Sequence, residues 1–238
     1  MTGAGKGPDP EKICTLFGGI ARRYDRANTI LSAGIHHFWR TALVRWSGAG
    51  IGDQVLDCAT GTGDLACAFK KAVGEEGDVV GTDFCEAMLE IAPEKARQRG
   101  LEIRFEPADV MNLPYDRDTF DHSAIAFGIR NVSNPVQGLR EMSRVTRPGG
   151  RVMVLEFGQV EMPVFKQIYR AYSRWILPRV GGWVTGDRKA YEYLEKSSAR
   201  MDCGKDFLGL LQETGTLVNA EYRGLMGGIA FMYRARCV

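Results

Sequence analysis

Apolar residues change their spacing twice along this chain. Between 12 and 46 they recur at helical intervals, with Phe17, Ile20 and Tyr24 three to four positions apart. That pattern predicts helices broken near Asn28 and again around 32–34. From 54 onward, short aliphatic and β-branched runs alternate with stretches of helical period. Strands are predicted at 54–57, 79–83, 102–106, 122–127 and 151–157, and helices at 64–73, 86–98 and 135–145. Such alternation builds parallel βαβ units whose strands are covered on both faces. The expected fold is α/β, a doubly wound and mostly parallel sheet. After 157 the spacing returns to helical over 163–199 and 206–213, and the runs 217–222 and 229–234 read as a closing antiparallel pair. One domain is expected: a helical cap (1–48), a core (49–160), a late helical insert (161–203) and a closing helix with strands (204–238).

Composition narrows the function. The 238 residues are 45% hydrophobic, enough for a full core. Thirty-one basic against 29 acidic residues leave a net charge of +2, which argues against a dedicated nucleic-acid binder. No apolar run reaches the roughly 18–20 residues of a membrane span. The Gly/Pro-rich start lacks the apolar centre of a signal peptide, so a cytoplasmic location is expected. The six cysteines form no C-x-x-C pair and no metal-like spacing with the three histidines, so they are expected to be reduced, with no metal site.

The chemistry concentrates in Asp57-Cys58-Ala59-Thr60-Gly61-Thr62-Gly63-Asp64, where a strand ends in a carboxylate and a glycine turn feeds a helix. Gly61 and Gly63 allow a tight turn and close approach of a ligand. Asp57 and Asp64 place negative charge where an ammonium group is welcome and a phosphate is repelled. The run 61–66 also satisfies G-x-G-x-x-A, so a nicotinamide oxidoreductase is the alternative from another class. Asp83, at the end of the next strand, either accepts the two hydroxyls of a ribose or caps the following helix. Asp109 follows the third strand and either meets an adenine amino group, beside the Val110 N–H, or closes a turn.

Carboxylates on three successive strand ends, with the Pro148-Gly149 turn into a fifth strand, resemble the class I S-adenosylmethionine methyltransferases. That resemblance implies a seven-stranded, Rossmann-like sheet and S-adenosyl-L-methionine as cofactor. Phe17, Ala21, Arg23-Tyr24-Asp25, Asn28, Leu31-Ser32, Gly34, His36 and Trp39 are similar to the opening of the quinone-biosynthesis C-methyltransferases. So are Phe127-Gly128-Ile129-Arg130-Asn131-Val132, Val154-Leu155-Glu156-Phe157, and Leu177-Pro178 with Asp187, Tyr191, Tyr193-Leu194 and Ser197. The resemblance implies methylation of a polyprenyl naphthoquinol (demethylmenaquinol to menaquinol), with a polyprenyl benzoquinol of ubiquinone biosynthesis as the alternative. It carries cofactor binding onto Thr62, Asp83, Asp109 and Val110. Two places depart from the family: Ala126 stands where a serine is usual, and 198–205 lacks the usual proline.

Methylating a ring carbon requires a cation near the developing phenolate and a group to take a proton. Arg130 and Asn131, just past the fourth strand, are the expected catalytic pair, with His36 as proton acceptor. In the insert, Phe165, Ile168, Tyr169, Tyr172, Trp175 and Ile176 form an apolar stripe beside Lys166, Arg170 and Arg174. A helix of that kind suits transient contact with the inner face of a membrane. The oligomeric state, monomer or homodimer, is open.

Overall fold

The computed structural model describes residues 8–160, 166, 167, 169 and 171–238. Seven strands form one sheet: β1 Gln54–Cys58, β2 Asp78–Asp83, β3 Arg104–Pro107, β4 Phe120–Ala126, β5 Thr146–Phe157, β6 Leu217–Leu225 and β7 Ala230–Cys237. Their order across the sheet is β3-β2-β1-β4-β5-β7-β6. The first five run parallel, while β7 lies antiparallel between β5 and β6. Val55, Leu56, Ala124, Ile125, Val152 and Val154 are fully or almost fully buried, as strands covered on both faces require.

The helices before β6 are α1 Pro10–Gly18, α2 Ala21–Ser32, α3 Ile35–Ser47, α4 Asp64–Val73, α5 Glu86–Leu89, α6 Ala92–Gln98, α7 Pro135–Val145, α8 Leu177–Thr185, α9 Arg188–Arg200 and α10 Lys205–Glu213. One apolar layer joins α7 and α10 to the sheet through Leu139, Met142, Phe207 and Leu211. The opposite layer joins α3 and α4 through Trp39, Leu43, Leu65 and Phe69. A third cluster, with Phe17, Ile20, Leu177 and Tyr191, packs the cap against the insert. Polar ties reinforce that third cluster. Arg23 donates to the Thr185 carbonyl at 3.2 Å, and the Tyr172 hydroxyl donates to the Leu31 carbonyl at 2.5 Å. Gly181 is required in α8, because a Cβ there would sit 2.5 Å from the Tyr191 ring. The cap and the described part of the insert thus form a single cover.

Several sequence expectations need correction. The first helical break is not near Asn28, which lies inside α2 with its carbonyl accepting from the Ser32 hydroxyl at 2.7 Å. The break falls at Gly19–Ile20 instead, after α1, which starts from Asp9 as N-cap with Pro10 in its first turn. The expected helix 86–98 is split, because Pro93 opens α6 and supplies no N–H to continue α5. The expectation of uniformly reduced cysteines also fails. Cys14 of α1 and Cys85, the residue before α5, form a disulfide with Cα atoms 5.0 Å apart. The two are 71 positions apart, and only the docking of the cap brings them together.

The insert stripe is not one face. Phe165, Ile168 and Arg170 lie outside the described residues. Tyr169 and Tyr172 line an interior cavity, whereas Trp175 and Ile176 are exposed. The turn Tyr172–Ile176 is π-wound, and its extra residue rotates the next helical turn by about 100°. Among the described residues no helix is long and apolar enough to cross a membrane.

Candidate active site

Parallel sheets present their strand C-termini on one edge, and ligands bind in the crevice there. Here β1 delivers Asp57 and the glycine turn, β2 delivers Asp83, and the segment after β3 delivers Asp109 and Val110. The helices α1, α2 and α3 roof the crevice. The cavity beneath is lined by Thr60, Gly61, Thr62, Asp83, Asp109 and Val110 from the sheet side, and by Phe17, Tyr24 and Arg40 from the cap.

Gly61 and Gly63 both adopt positive φ, +57° and +83°. Gly61 needs glycine for its backbone conformation, since a Cβ there would make only an ordinary 3.4 Å contact with Met88. Gly63 needs it for space as well, because a Cβ would meet the Phe105 ring at 3.0 Å and Ala92 at 3.2 Å. Gly61 N–H donates to Asp83 Oδ2 at 2.7 Å, and Cys85 N–H donates to Asp83 Oδ1 at 2.8 Å. Asp83 therefore caps the turn into α5 and also lines the cavity. Burial raises its pKa, against the pull of the Cys85, Gly61 and Phe84 amides. Asp83→Ala is expected to weaken binding of S-adenosylhomocysteine by about 1–3 kcal/mol through unpaired polar groups, read by calorimetric titration.

Asp57 sits behind the turn, 1% exposed. Its Oδ2 accepts from the Thr60 hydroxyl at 2.6 Å, while its Oδ1 has no hydrogen-bond partner. Burial pushes its pKa up to about 7, with Thr60 and Arg40 pulling the other way. Asp57 is absent from both cavity linings and lies beneath the glycine turn, where an orphaned buried carboxylate oxygen favours a cationic neighbour. Asp64 does not share that role. Burial raises its pKa, but Lys95, Arg40 and Arg99 outweigh it and hold the group at about 2. Lys95 lies 3.2 Å and Arg99 3.1 Å from its Oδ1.

Thr62 acts as a latch. Its hydroxyl donates to Asp25 of α2 at 2.6 Å and accepts from Lys95 at 2.7 Å, and Lys95 is also ion-paired to Asp25. Asp109 closes a turn, accepting from the Met111 N–H at 2.9 Å, and still lines the cavity beside Val110.

A second cavity of ≈ 320 Å³ lies between the cap, the insert and the ends of β4 and β5. Leu31, Trp39, Phe127, Phe157, Tyr172 and Leu177 make it mostly apolar. Tyr24, Arg40 and Phe127 belong to both linings, so the two spaces meet at those side chains. The Phe127 and Phe157 rings lie 4.5 Å apart, with Arg40 over the first at 5.2 Å and Arg130 over the second at 5.4 Å.

The expected catalytic residues fare differently. Asn131 lines the first cavity, and its Oδ1 accepts from the Tyr193 hydroxyl at 3.1 Å. Arg130 is absent from both linings. Its side chain is 1% exposed, and its guanidinium donates to Glu156 Oε1 at 2.6 Å and to the Phe127 carbonyl at 2.5 Å. Glu156 balances its charge before any substrate arrives. His36 lines the second cavity but does not fit a proton acceptor. Its Nδ1 accepts from Arg40, and its Nε2 lies 3.3 Å from the Thr29 hydroxyl. Burial, Arg40 and His37 lower its pKa to about 3. Arg40 itself is not singled out by the sequence pattern. The available signal is the i, i+4 spacing of His36 and Arg40 on one helix.

Comparison with known proteins agrees with this geometry. The profile of the ubiE/COQ5 methyltransferase family matches residues 6–236. The chain is 59% identical to the "Ubiquinone/menaquinone biosynthesis C-methyltransferase UbiE" of Bdellovibrio bacteriovorus, over 95% of this chain and 96% of that one. It is 37% identical to a "Demethylmenaquinone methyltransferase" of Staphylococcus aureus, over 94% and 92%. In fold it is similar to a SAM-dependent methyltransferase from Aquifex aeolicus, with TM-score 0.60 at 20% identity over 97% of this chain and 99% of that one. Seven strands in class I order, an unpaired carboxylate under a glycine turn and a match along almost the whole length place this chain in the ubiE/COQ5 methyltransferase family.

Proposed function

We propose that the protein uses S-adenosyl-L-methionine to methylate a ring carbon of a polyprenyl naphthoquinol, converting demethylmenaquinol to menaquinol. The observation that carries this reading is the meeting of a polar strand-end cavity with an apolar one at Tyr24, Arg40 and Phe127. When bound, the cofactor supplies an electrophilic methyl group. Asp57 holds its ammonium end through the unpaired Oδ1, Asp83 takes the ribose hydroxyls, and Asp109 with Val110 faces the adenine. Gly61 and Gly63 let the backbone come close, and Thr62 latches α2 over the site.

On the acceptor side, Trp39, Phe127 and Phe157 form an aromatic wall for the quinol ring. Leu31, Tyr172 and Leu177 give the isoprenoid tail an apolar path. Holding ring and cofactor at one junction converts an encounter into a positioned reaction. Asn131 reaches the same space and is placed to orient a ring hydroxyl. Arg130 acts through the wall it backs, by fixing Phe127 and the backbone around Asn131.

The test is direct. Purified protein, labelled S-adenosylmethionine and each reduced quinone in turn should give methylated menaquinol by mass spectrometry. Methylation of the benzoquinol alone would move the reading to the ubiquinone path. No methylation of either would end it.

A tail dissolved in a bilayer calls for contact with the membrane surface. Trp175, Ile176 and Trp183 are exposed, the last at 86%, and Arg174 and Arg179 lie 5.8 and 5.1 Å over the Trp175 ring. Aromatic bulk with cations alongside suits the headgroup region, each cation contributing about 1 kcal/mol on an anionic leaflet. Vesicles containing anionic lipid should float with the wild type at low salt and not with Trp183→Ser/Arg174→Glu/Arg179→Glu. Flotation that ignores both salt and the triple substitution would remove this surface as the contact.

A further inference from the structure

The junction of the two cavities contains a buried cation, Arg40, that feels the charges of Asp57 and Asp64 but forms no ion pair among the described residues. Arg40 is 9% exposed, yet among the described residues no carboxylate lies within ion-pairing distance of it. The other buried arginine, Arg130, shows the ordinary solution, a carboxylate partner at 2.6 Å. A buried guanidinium without one is costly, so its retention asks for a ligand.

The carboxylates nearest in effect are already committed. Asp64 is held by Lys95 and Arg99, and Asp57, bonded to Thr60, lies beneath the glycine turn and lines neither cavity. The same guanidinium is aimed rather than loose. One terminal nitrogen donates to His36 Nδ1 and, at 3.2 Å, to the His36 carbonyl one helical turn back. Because His36 stays neutral far below physiological pH, this anchor is an acceptor and never a competing cation. The Phe127 ring, 5.2 Å from the guanidinium carbon, supports the face of the group. The hydrogen bonds to His36 use one terminal nitrogen of the guanidinium, and the side chain lines both cavities.

We infer that Arg40 is an anion-recognition residue at the cavity junction, and that the group it takes is a ligand oxygen carrying negative charge. Resting on the methyl-transfer reading above, that oxygen comes from one of two sources. One is the carboxylate of the methionyl end of the cofactor, which a guanidinium fork can grip with two donors. The other is the ring oxygen of the quinol as it becomes a quinolate. His36 is then a positioning residue for Arg40, its Nδ1 accepting from the guanidinium.

The experiment compares wild type with Arg40→Met and Arg40→Lys in two arms. The first measures affinity for S-adenosylhomocysteine and for 5′-methylthioadenosine, which lacks the amino-acid end, by calorimetry. The second measures kcat and KM for the reduced naphthoquinone at saturating S-adenosylmethionine. If the carboxylate is the ligand, Arg40→Met loses about 10- to 150-fold in S-adenosylhomocysteine affinity, with methylthioadenosine affinity unchanged. If the quinolate is the ligand, both affinities hold and kcat/KM for the quinol falls by a similar factor. In either case added guanidinium ion restores part of the loss in Arg40→Met, and Arg40→Lys lies between the two. A folded Arg40→Met with wild-type values in both arms overturns the inference, as does a loss that neither guanidinium nor lysine recovers. Wild-type protein that binds S-adenosylhomocysteine but methylates no quinol refutes the proposed function and leaves the calorimetric arm to judge Arg40. Wild-type protein that binds neither nucleoside refutes both.

Discussion

Replacing Glu156 by alanine is expected to lower folding stability by about 3–5 kcal/mol, the usual penalty for leaving a buried charge without its partner. The side chains of Glu156 and Arg130 are 2% and 1% exposed. Glu156 Oε1 accepts from the Arg130 guanidinium at 2.6 Å and from the Phe157 N–H at 2.9 Å, while Oε2 accepts from the Arg130 N–H at 3.3 Å. The pair therefore ties β5 to the turn that follows β4. Alanine at 156 would strand a guanidinium among Phe127, Phe157 and backbone carbonyls, where water is not available to solvate it. Arg130→Ala should cost a comparable amount by stranding the carboxylate. The double replacement Arg130→Met/Glu156→Leu should cost clearly less than the two single losses added together, because it strands neither. Urea unfolding of the four proteins measures this, and strict additivity would show that the two groups are not energetically coupled.

The sheet is legible in the sequence because its strands carry their own signature. β1, β2 and β4 are short apolar runs between turn residues, and period alone marks them as covered on both faces. Their boundaries differ by a few residues from the expected ones where register, not propensity, decides the end of a ladder. β7 runs on to Cys237 because it is paired on both sides. The helical cap is harder to read. Gly18-Gly19 is a stronger break signal than Asn28, whose polar side chain is compatible with a helix face. The π-wound turn at Tyr172–Ile176 leaves no mark in a pattern read at constant period, so the sequence suggests one apolar stripe where two faces exist.

In the site, residues on strand ends are readable, because topology alone brings Asp57, Asp83 and Asp109 to one crevice. Partnerships made across the cap are not. The Cys14–Cys85 disulfide, the latch from Thr62 to Asp25 and the position of Arg40 at two cavities all depend on how α1 to α3 dock. Spacing along the chain has no access to that docking. Arg130 illustrates the same limit from the other side. Its place after β4 is evident from the sequence, but a carboxylate 26 residues later in the chain neutralises it.

Cofactor binding is expected to lose about tenfold in affinity for each pH unit below 7, and Asp57 is the cause. In the unliganded protein, burial holds this carboxyl at about 7, so it is largely protonated at pH 6 and ionised at pH 8. An ammonium group beside Oδ1 favours the ionised form, so binding below pH 7 must expel a proton at a cost of about 1.4 kcal/mol per unit. Calorimetry with S-adenosylhomocysteine in buffers of different ionisation enthalpy should detect the released proton at pH 6 and not at pH 8.5. Asp57→Asn should bind weakly at every pH and show neither the slope nor the proton. Stability runs the opposite way. A carboxyl whose folded pKa lies above its unfolded value of about 3.8 favours the folded state when protonated. That stability is fully present below pH 4 and is lost as the pH rises through 7, up to about 4 kcal/mol for a shift of roughly three units. Asp57→Asn, uncharged throughout, does not lose it. Without ligand, the variant should therefore gain on the wild type in thermal unfolding as the pH is raised from 5 to 8. A gap between the two that stays constant over that range would place the Asp57 carboxyl in the ordinary range and remove the proton from the binding step.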